Sequence, residues 1–448
     1  MAYQLMDTTE TDQITVHCAD VVVPVVSPAL DNGAVAVQNG KILAVGSRDH
    51  VMDLVGPSHE TRWDGVLMPG LVNAHAHLQY HGMAELGQAV HADFEAWSVA
   101  FDDMYDSIHE SQDWSAAAIA GATEALAHGT TTVADICTDL AAADALPRTG
   151  LSGISFFETL GHTTEQWTDS ERAVFLDALD AFAPLLGAGF SVGVSPHAPY
   201  SIDTAVLADV AEIGRALGLR VHTHLGESTF EDDYYRTGTG PLADFVATFG
   251  RKFEILTNGG VGKSAGEFAF DLGLLGDGCH VAHGIYLGSD DRKLLRDSGT
   301  AVALCPRSNA TIGLDEAPVA AYLAEGNDIC VGTDSLSSSP SLDLLEDLKA
   351  LHEIATRQGY TKTDLAHRLL RAATIDGAKA IGMNVGEFRV GALEPGRQAD
   401  VAVLALDTGA DEAEEEVVAR GAGACVATIV GGDVARRGKT RLPPNRGV

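Results

Sequence analysis

His75-Ala76-His77 closes the apolar run Gly65-Val66-Leu67-Met68-Pro69-Gly70-Leu71-Val72-Asn73-Ala74. Side chains along a strand repeat every two residues, so histidines at alternate positions where a strand ends aim their imidazoles the same way. Two borderline-soft nitrogen donors converging on one point begin a transition-metal site. Taken alone the pair is weak evidence, because core histidines bonded to backbone look the same. The same residue types recur behind other apolar runs, in Ser195-Pro196-His197-Ala198-Pro199-Tyr200, His222-Thr223-His224-Leu225-Gly226-Glu227, Ala282-His283-Gly284 and Gly332-Thr333-Asp334-Ser335. Imidazoles and carboxylates serve both cation binding and proton transfer. A random scatter of 17 histidines would not favour the ends of apolar runs so consistently.

For these ends to meet, the runs must be strands of one sheet. Eight runs qualify: Gly65–His75, Thr130–Cys137, Gly153–Thr159, Phe190–His197, Leu219–His224, Cys279–His283, Thr300–Cys305 and Asp328–Asp334. Helical patterns such as Ser115–His128, Glu171–Leu186, Ile202–Leu217 and Ser341–Gln358 lie between most of them. Strand and helix alternating eight times predicts an α/β fold, a (β/α)8 TIM-like barrel, whose functional residues gather at the C-terminal strand ends. Gly33–Gly46 reads as a hairpin turning at Asn39-Gly40. Asp400–Leu404 and Val426–Val430 read as strands, with Gly431-Gly432 a turn after the second. Strands at both ends predict a small β-sandwich built from residues 1–64 and 385–448, with residues 65–384 forming the barrel. The acidic run Asp411–Val418 reads as a solvated loop or helix face.

Of 448 residues 46% are apolar, enough for a large core. The net charge of −34 argues against nucleic acid and anionic membrane surfaces as partners, and fits a salty habitat or simple solubility. Six cysteines without a Cys-x-x-Cys spacing read as reduced, buried thiols of a cytoplasmic protein. Met1–Asp12 lacks the basic-then-apolar order of a signal peptide, and no apolar segment is long enough to span a bilayer. Gly262-Lys263-Ser264 ends like a phosphate loop, but the glycine required five residues earlier is Thr257 and no strand leads in. It reads as the entry to a helix over Ala265–Leu272.

The stretch Pro69 to His77 resembles the opening element of the amidohydrolase superfamily. His224-x-x-Glu227, then His283, then Asp334, resembles the spacing of its deaminase and chlorohydrolase branch. The likeness extends through Gly391–Asp400. It implies that His75, His77, His224 and Asp334 hold one divalent metal, Zn2+ or Fe2+, with a water in an open position. His222 would then lie inside the barrel or behind the ligands. The lysine that bridges two metals in some members is missing, since no lysine lies between Lys41 and Lys252.

The resemblance further implies a catalytic set of Asp334, Glu227 and His283. Water activated by the metal, its proton accepted by Asp334, would attack a ring carbon bearing an amino group. Glu227 would protonate the adjacent ring nitrogen, His283 would steady the attacking oxygen, and ammonia would leave. Thr333–Ser338, Cys305–Asn309 and Glu227-Ser228 with Gly238–Pro241 are most similar to aminodeoxyfutalosine deaminases. The implied partner is therefore a small N-heterocycle, an adenine nucleoside-like compound. Gln79–Met83 departs from that subgroup. His197 resembles a substrate contact of nucleoside-type deaminases, and Glu158, Asn309, Arg307 and Trp97 are further candidates for contact. Glu158 and Trp97 read as readily as packing residues, and Arg307 and Asn309 could simply shape their loop. Two other activities stay open: triazine halide or amine displacement or cyclic amide opening on the same scaffold, and an inactive binding protein. The oligomer expected is a homodimer.

Overall fold

The computed structural model describes residues 13–186, 190–248 and 250–437. The polar Met1–Asp12 stretch lies outside the described residues. The chain opens with β1 (Thr15–Val22), β2 (Leu30–Gln38), β3 (Lys41–Ser47), a helix α1 (Arg48–Val55) and β4 (His59–Pro69). The β2–β3 hairpin turns at Asn39 and Gly40, both at positive φ (51° and 74°), as a two-residue turn requires. At the other end, β13 (Val401–Leu404), β14 (Cys425–Val430) and β15 (Asp433–Arg437) join the same sheet, in the order β15-β14-β13-β4-β1-β2-β3. This sheet curls over on itself. Val35 and Val37 of β2 share one buried cluster with Ala427 and Ile429 of β14, although three strands separate β2 from β14. The two layers expected of a sandwich are thus the two ends of one continuous sheet.

Between these ends run the barrel strands β5 (Leu71–Ala76), β6 (Thr130–Cys137), β7 (Ser152–Thr159), β8 (Phe190–Pro196), β9 (Arg220–Leu225), β10 (Cys279–His283), β11 (Ala301–Leu304) and β12 (Ile329–Val331). All seven neighbouring pairs are parallel. The ring closes between first and last strands through Asn73, whose side chain donates to Thr333 Oγ1 (2.7 Å) and accepts from the Thr333 N–H (3.2 Å). The Asp334 N–H adds a bond to His75 O (3.0 Å). Gly332 permits this approach, since a Cβ there would lie 2.8 Å from the His75 backbone oxygen.

The run Gly65–His75, expected as one strand, is two. The Gly70 N–H bonds Asp400 O in the small sheet, and the next N–H, of Leu71, bonds Gly129 O at the barrel. The chain changes sheets there, and a Cβ on Gly70 would meet Thr131 Oγ1 at 2.2 Å. The acidic run forms a short helix, Ala413–Arg420, with Val417 and Val418 buried and the glutamates outward. Ser264 caps the helix Ala265–Asp271, receiving the Glu267 N–H (3.3 Å), and Lys263 pairs with Asp271. No described helix is long and apolar enough to cross a membrane.

Candidate active site

The C-terminal ends of β5, β9, β10 and β12 bring His75, His77, His224, His283 and Asp334 together, all buried. Asp334 Oδ1 lies 3.4 Å from His75 Nε2 and 3.5 Å from His77 Nε2. Its other oxygen accepts hydroxyl protons from Ser308 (2.6 Å) and Ser338 (2.8 Å), which fixes the carboxylate with Oδ1 inward. Asp334 (φ 60°) and His283 (φ 73°) both occupy left-handed backbone, strain that concentrates where a side chain must be aimed. His224 Nδ1 donates to His197 O (2.8 Å), so Nε2 is the nitrogen left with a lone pair.

The charge states suit a cation. Burial disfavours the imidazolium, lowering His75 to about 3 and His77 and His224 below their ordinary value. Burial alone would raise Asp334, but the contacts with His75 and His77 hold its carboxyl well below the usual range. Neutral imidazoles face an ionised carboxylate, and both nitrogens of His75 lack any hydrogen-bond partner. Orphaned buried lone pairs around one carboxylate oxygen fit a divalent metal. A second metal is not supported by the nearby trio Glu158, His197 and His224, since it would need the same His224 nitrogen.

Glu227 sits across from Asp334. Its Oε2 accepts from Tyr200 OH (3.0 Å) and its Oε1 is 3.5 Å from His283 Nε2. Burial, aided by the Asp334 charge, pushes Glu227 up to about 7 against the pull of His224 and Tyr200. A carboxyl half-protonated near neutrality can give and take a proton. The turn that carries it is gripped by Glu231, whose carboxylate accepts the backbone N–H groups of Gly226 (3.0 Å), Glu227 (2.6 Å) and Ser228 (3.0 Å).

Above this floor opens a cavity of about 240 Å³. His197, Glu158 and Trp97 line it, as their candidacy requires. Glu158 Oε2 accepts from Thr138 Oγ1 (2.8 Å), and its Oε1 has no partner. Burial, with the charges of Asp334 and Asp135, raises Glu158 to about 8. Trp97, on α2 (Phe94–Ile108), donates from Nε1 to Ser337 O (3.1 Å). Asn309 is placed differently: its Oδ1 lies 3.1 Å from His283 Nδ1, behind the imidazole and away from the cavity wall. The segment 305–309, expected as a loop, is instead the cap and first turn of a helix, Pro306–Ile312, whose buried side holds Ser308 and Asn309 against the site from behind. Arg307 is likewise turned away, paired with Asp347 (2.7 Å) and Glu346.

Sequence reasoning gave no role to Tyr200, Glu231, Ser308 or Ser338. Tyr200, Ser308 and Ser338 stand inside the segments it singled out, but which carboxylate a hydroxyl bonds leaves no local signal.

The profile of the amidohydrolase family matches residues 66–435. The chain belongs to that family. It is a hydrolytic enzyme acting on C–N bonds, with a site composed to hold a divalent metal. It is 29% identical over 383 residues to a Symbiobacterium thermophilum protein named 5-methylthioadenosine/S-adenosylhomocysteine deaminase, covering 84% of this chain and 80% of that one. Among solved structures, Helicobacter pylori aminofutalosine deaminase in complex with methylthio-coformycin superposes with a TM-score of 0.80 at 21% identity, over 94% of this chain and 99% of the other. A Xanthomonas campestris adenosine deaminase with bound zinc gives 0.74 at 24%, over 94% and 92%. At these identities the two structures share the amidohydrolase fold with this chain.

Proposed function

We propose that this amidohydrolase is a zinc-dependent deaminase of adenine nucleosides carrying a 5′-thioether. The observation that carries the reaction type is the buried Glu227 carboxyl, poised near neutrality across the cavity floor from Asp334. Deaminating a ring needs a proton delivered to a ring nitrogen while another is taken from water, and two carboxyls with opposed pKa shifts divide those tasks. The relative named for 5-methylthioadenosine and S-adenosylhomocysteine supports the substrate class. Aminodeoxyfutalosine, to which the motifs drew attention, is also an adenine nucleoside with an altered ribose, and belongs in the same assay.

Three imidazoles (His75, His77, His224) and Asp334 would hold the cation, which supplies acidified water at neutral pH. Asp334 accepts the water's proton on Oδ1, the oxygen that Ser308 and Ser338 leave free. Glu227 gives its proton to the ring nitrogen as the amino-bearing carbon turns tetrahedral. His283, held by Asn309, faces the attacking oxygen with Nε2. The proton held on Asp334 then passes to the amino group, ammonia departs, the ring becomes a lactam, and the proton of the added hydroxyl restores Glu227. Glu158 and His197 face the sugar side of the substrate, and Trp97 covers the base.

Ammonia release from zinc-loaded protein tests this with 5′-methylthioadenosine, S-adenosylhomocysteine, adenosine and aminodeoxyfutalosine. Turnover of the thioethers ahead of the other two is expected. No ammonia from any of the four would sink the reading. Elemental analysis after expression without added metal tests zinc against iron.

A further inference from the structure

Each of the two carboxyls that handle protons has one oxygen held by hydroxyls. Ser308 and Ser338 hold Oδ2 of Asp334, and Tyr200 holds Oε2 of Glu227. Tyr200 lines the cavity, yet its hydroxyl is turned to Glu227 at 3.0 Å. Tyr200 is 6% exposed and Glu227 5%, so neither can trade that bond for bulk water. Both ends of the bond are fixed. Tyr200 follows β8 in a turn closed by the Ser201 N–H on Ala198 O (3.0 Å). Its ring lies edge-on to Phe94 of α2 and to His197, with centroids 6.2 Å away in both cases. Glu227 sits on the turn that Glu231 grips. The other oxygen of Glu227, Oε1, is turned to His283.

We propose that Tyr200 is a positioning residue that assigns the acidic proton of Glu227 to Oε1, the oxygen beside His283. The inference rests on the deaminase reading above, in which Glu227 protonates the ring. A protonated carboxyl has one hydroxyl oxygen and one carbonyl oxygen, and the carbonyl oxygen is the better acceptor. A phenol donating to Oε2 makes that oxygen the carbonyl and leaves the hydroxyl at Oε1. Among the described residues Tyr200 alone donates to Oε2; His224, Asp334 and Glu231 face Glu227 without doing so. Tyr200 stays a donor, since burial and the charges of Glu227 and Glu231 hold its own ionisation well above the ordinary value. On transfer the Oε1–H bond breaks, an N–H bond forms on the ring, and Glu227 becomes a carboxylate. The bond from Tyr200 is then charge-assisted and roughly twice as strong as before. The hydroxyl thus favours the state after transfer over the state before it, and such a difference raises a rate rather than a binding constant.

Tyr200→Phe removes the hydroxyl and keeps the ring against Phe94 and His197, so the fold and the zinc content should be those of the wild type. The full-length zinc enzyme is assayed with whichever of the four nucleosides above it deaminates fastest. In Tyr200→Phe, kcat should fall by about tenfold, the scale of one hydrogen bond, with KM unchanged within about twofold. The alkaline limb of the kcat/KM profile, where Glu227 loses its proton, should move up by about half a pH unit or more, because a bond to the carboxylate is gone. Glu227→Gln has no acidic proton to place, so adding Tyr200→Phe to it should slow turnover by less than about twofold. A raised KM with unchanged kcat would make Tyr200 a wall of the cavity and overturn the assignment. An unmoved alkaline limb, or losses that multiply fully in the double variant, would do the same. A wild type that deaminates none of the four nucleosides removes the deaminase reading and this inference together. A wild-type rate in Tyr200→Phe beside a crippled Glu227→Gln removes the role of Tyr200 alone.

Discussion

Two tiers of histidine fill the barrel, and only one is built for a cation. The inner tier pairs His222 with His280, ring centroids 4.7 Å apart, against Phe156. The outer tier sets His75 between His77, His224 and His283 at 4.9–5.5 Å. The tiers touch, because His75 stacks on His222 at 4.8 Å. Every ring is buried, and burial lowers each one's pKa. The partners differ. His222 Nδ1 meets Ser195 Oγ (3.2 Å) and His280 Nε2 meets Ala74 O (3.0 Å), which are neutral groups. The outer rings face the carboxyls of Asp334 and Glu227. His222 and His224 share a face of β9 by alternation, so strand geometry cannot tell them apart. The nearby negative charge decides which imidazole becomes a ligand.

The largest effect should come from removing that charge. Asp334→Ala loses both a ligand and the acceptor of the water's proton. Bound metal should vanish on elemental analysis, and activity should fall by roughly 10³–10⁴-fold or more. Glu227→Gln keeps the outer tier intact, so metal should stay while kcat drops by about 10²–10⁴-fold. Retained turnover in Glu227→Gln would transfer the proton shuttle to another group. Ser308→Ala removes one of two bonds orienting Asp334 and should weaken metal affinity by about 10–100-fold in a chelator competition. His222→Ala, in the inner tier, should leave one metal per chain and cost about 1–3 kcal/mol of stability in a denaturant titration. Loss of metal in that variant would show that the stack on His75 is part of the site and would collapse the distinction between tiers.

The outer tier was legible in the sequence because each member ends a strand, and strand ends are set by local pattern. The eight runs predicted the barrel strands closely from Thr130 onward. The first run failed at Gly70, where the hydrogen bonds pass from Asp400 to Gly129, two partners distant in the chain. What oriented the site was less visible. Asn309 read as a substrate contact because its segment resembles a substrate-side loop of the deaminase branch; a helix starting at Pro306 turns it behind His283. Ser338 and Glu231 act through bonds to Asp334 and to the turn at Glu227, and serines and glutamates in those positions carry no periodic signature. The outer cavity wall was invisible for the same reason, since Phe245 and Arg251 reach it only through the packing of a long connection.

The smallest effect separates the tiers by pH, in metal-free protein. Glu158 (raised to about 8) and Glu231 (raised to about 7) have folded pKa values above the ordinary 4.5. Their contribution to stability is complete below that ordinary value and is lost as pH rises through 7 to 8, because the folded state resists ionising them. The histidines run the other way. His75 and His280, lowered to about 3 from 6.5, contribute stability that is present above 6.5 and lost as pH falls towards 3. Both tiers thus share the acid limb, while the carboxyls around the outer tier alone create the alkaline one. The unfolding midpoint of metal-free protein should peak between the ordinary carboxyl value of 4.5 and the ordinary imidazole value of 6.5, where the two slopes oppose. Glu158→Gln should flatten the alkaline side and leave the acid side unchanged; His222→Ala should ease the acid side alone. An alkaline limb that survives Glu158→Gln, Glu231→Gln and Glu227→Gln together would mean that ionisation elsewhere in the chain governs it, and the outer tier would lose its claim to a distinct electrostatic character.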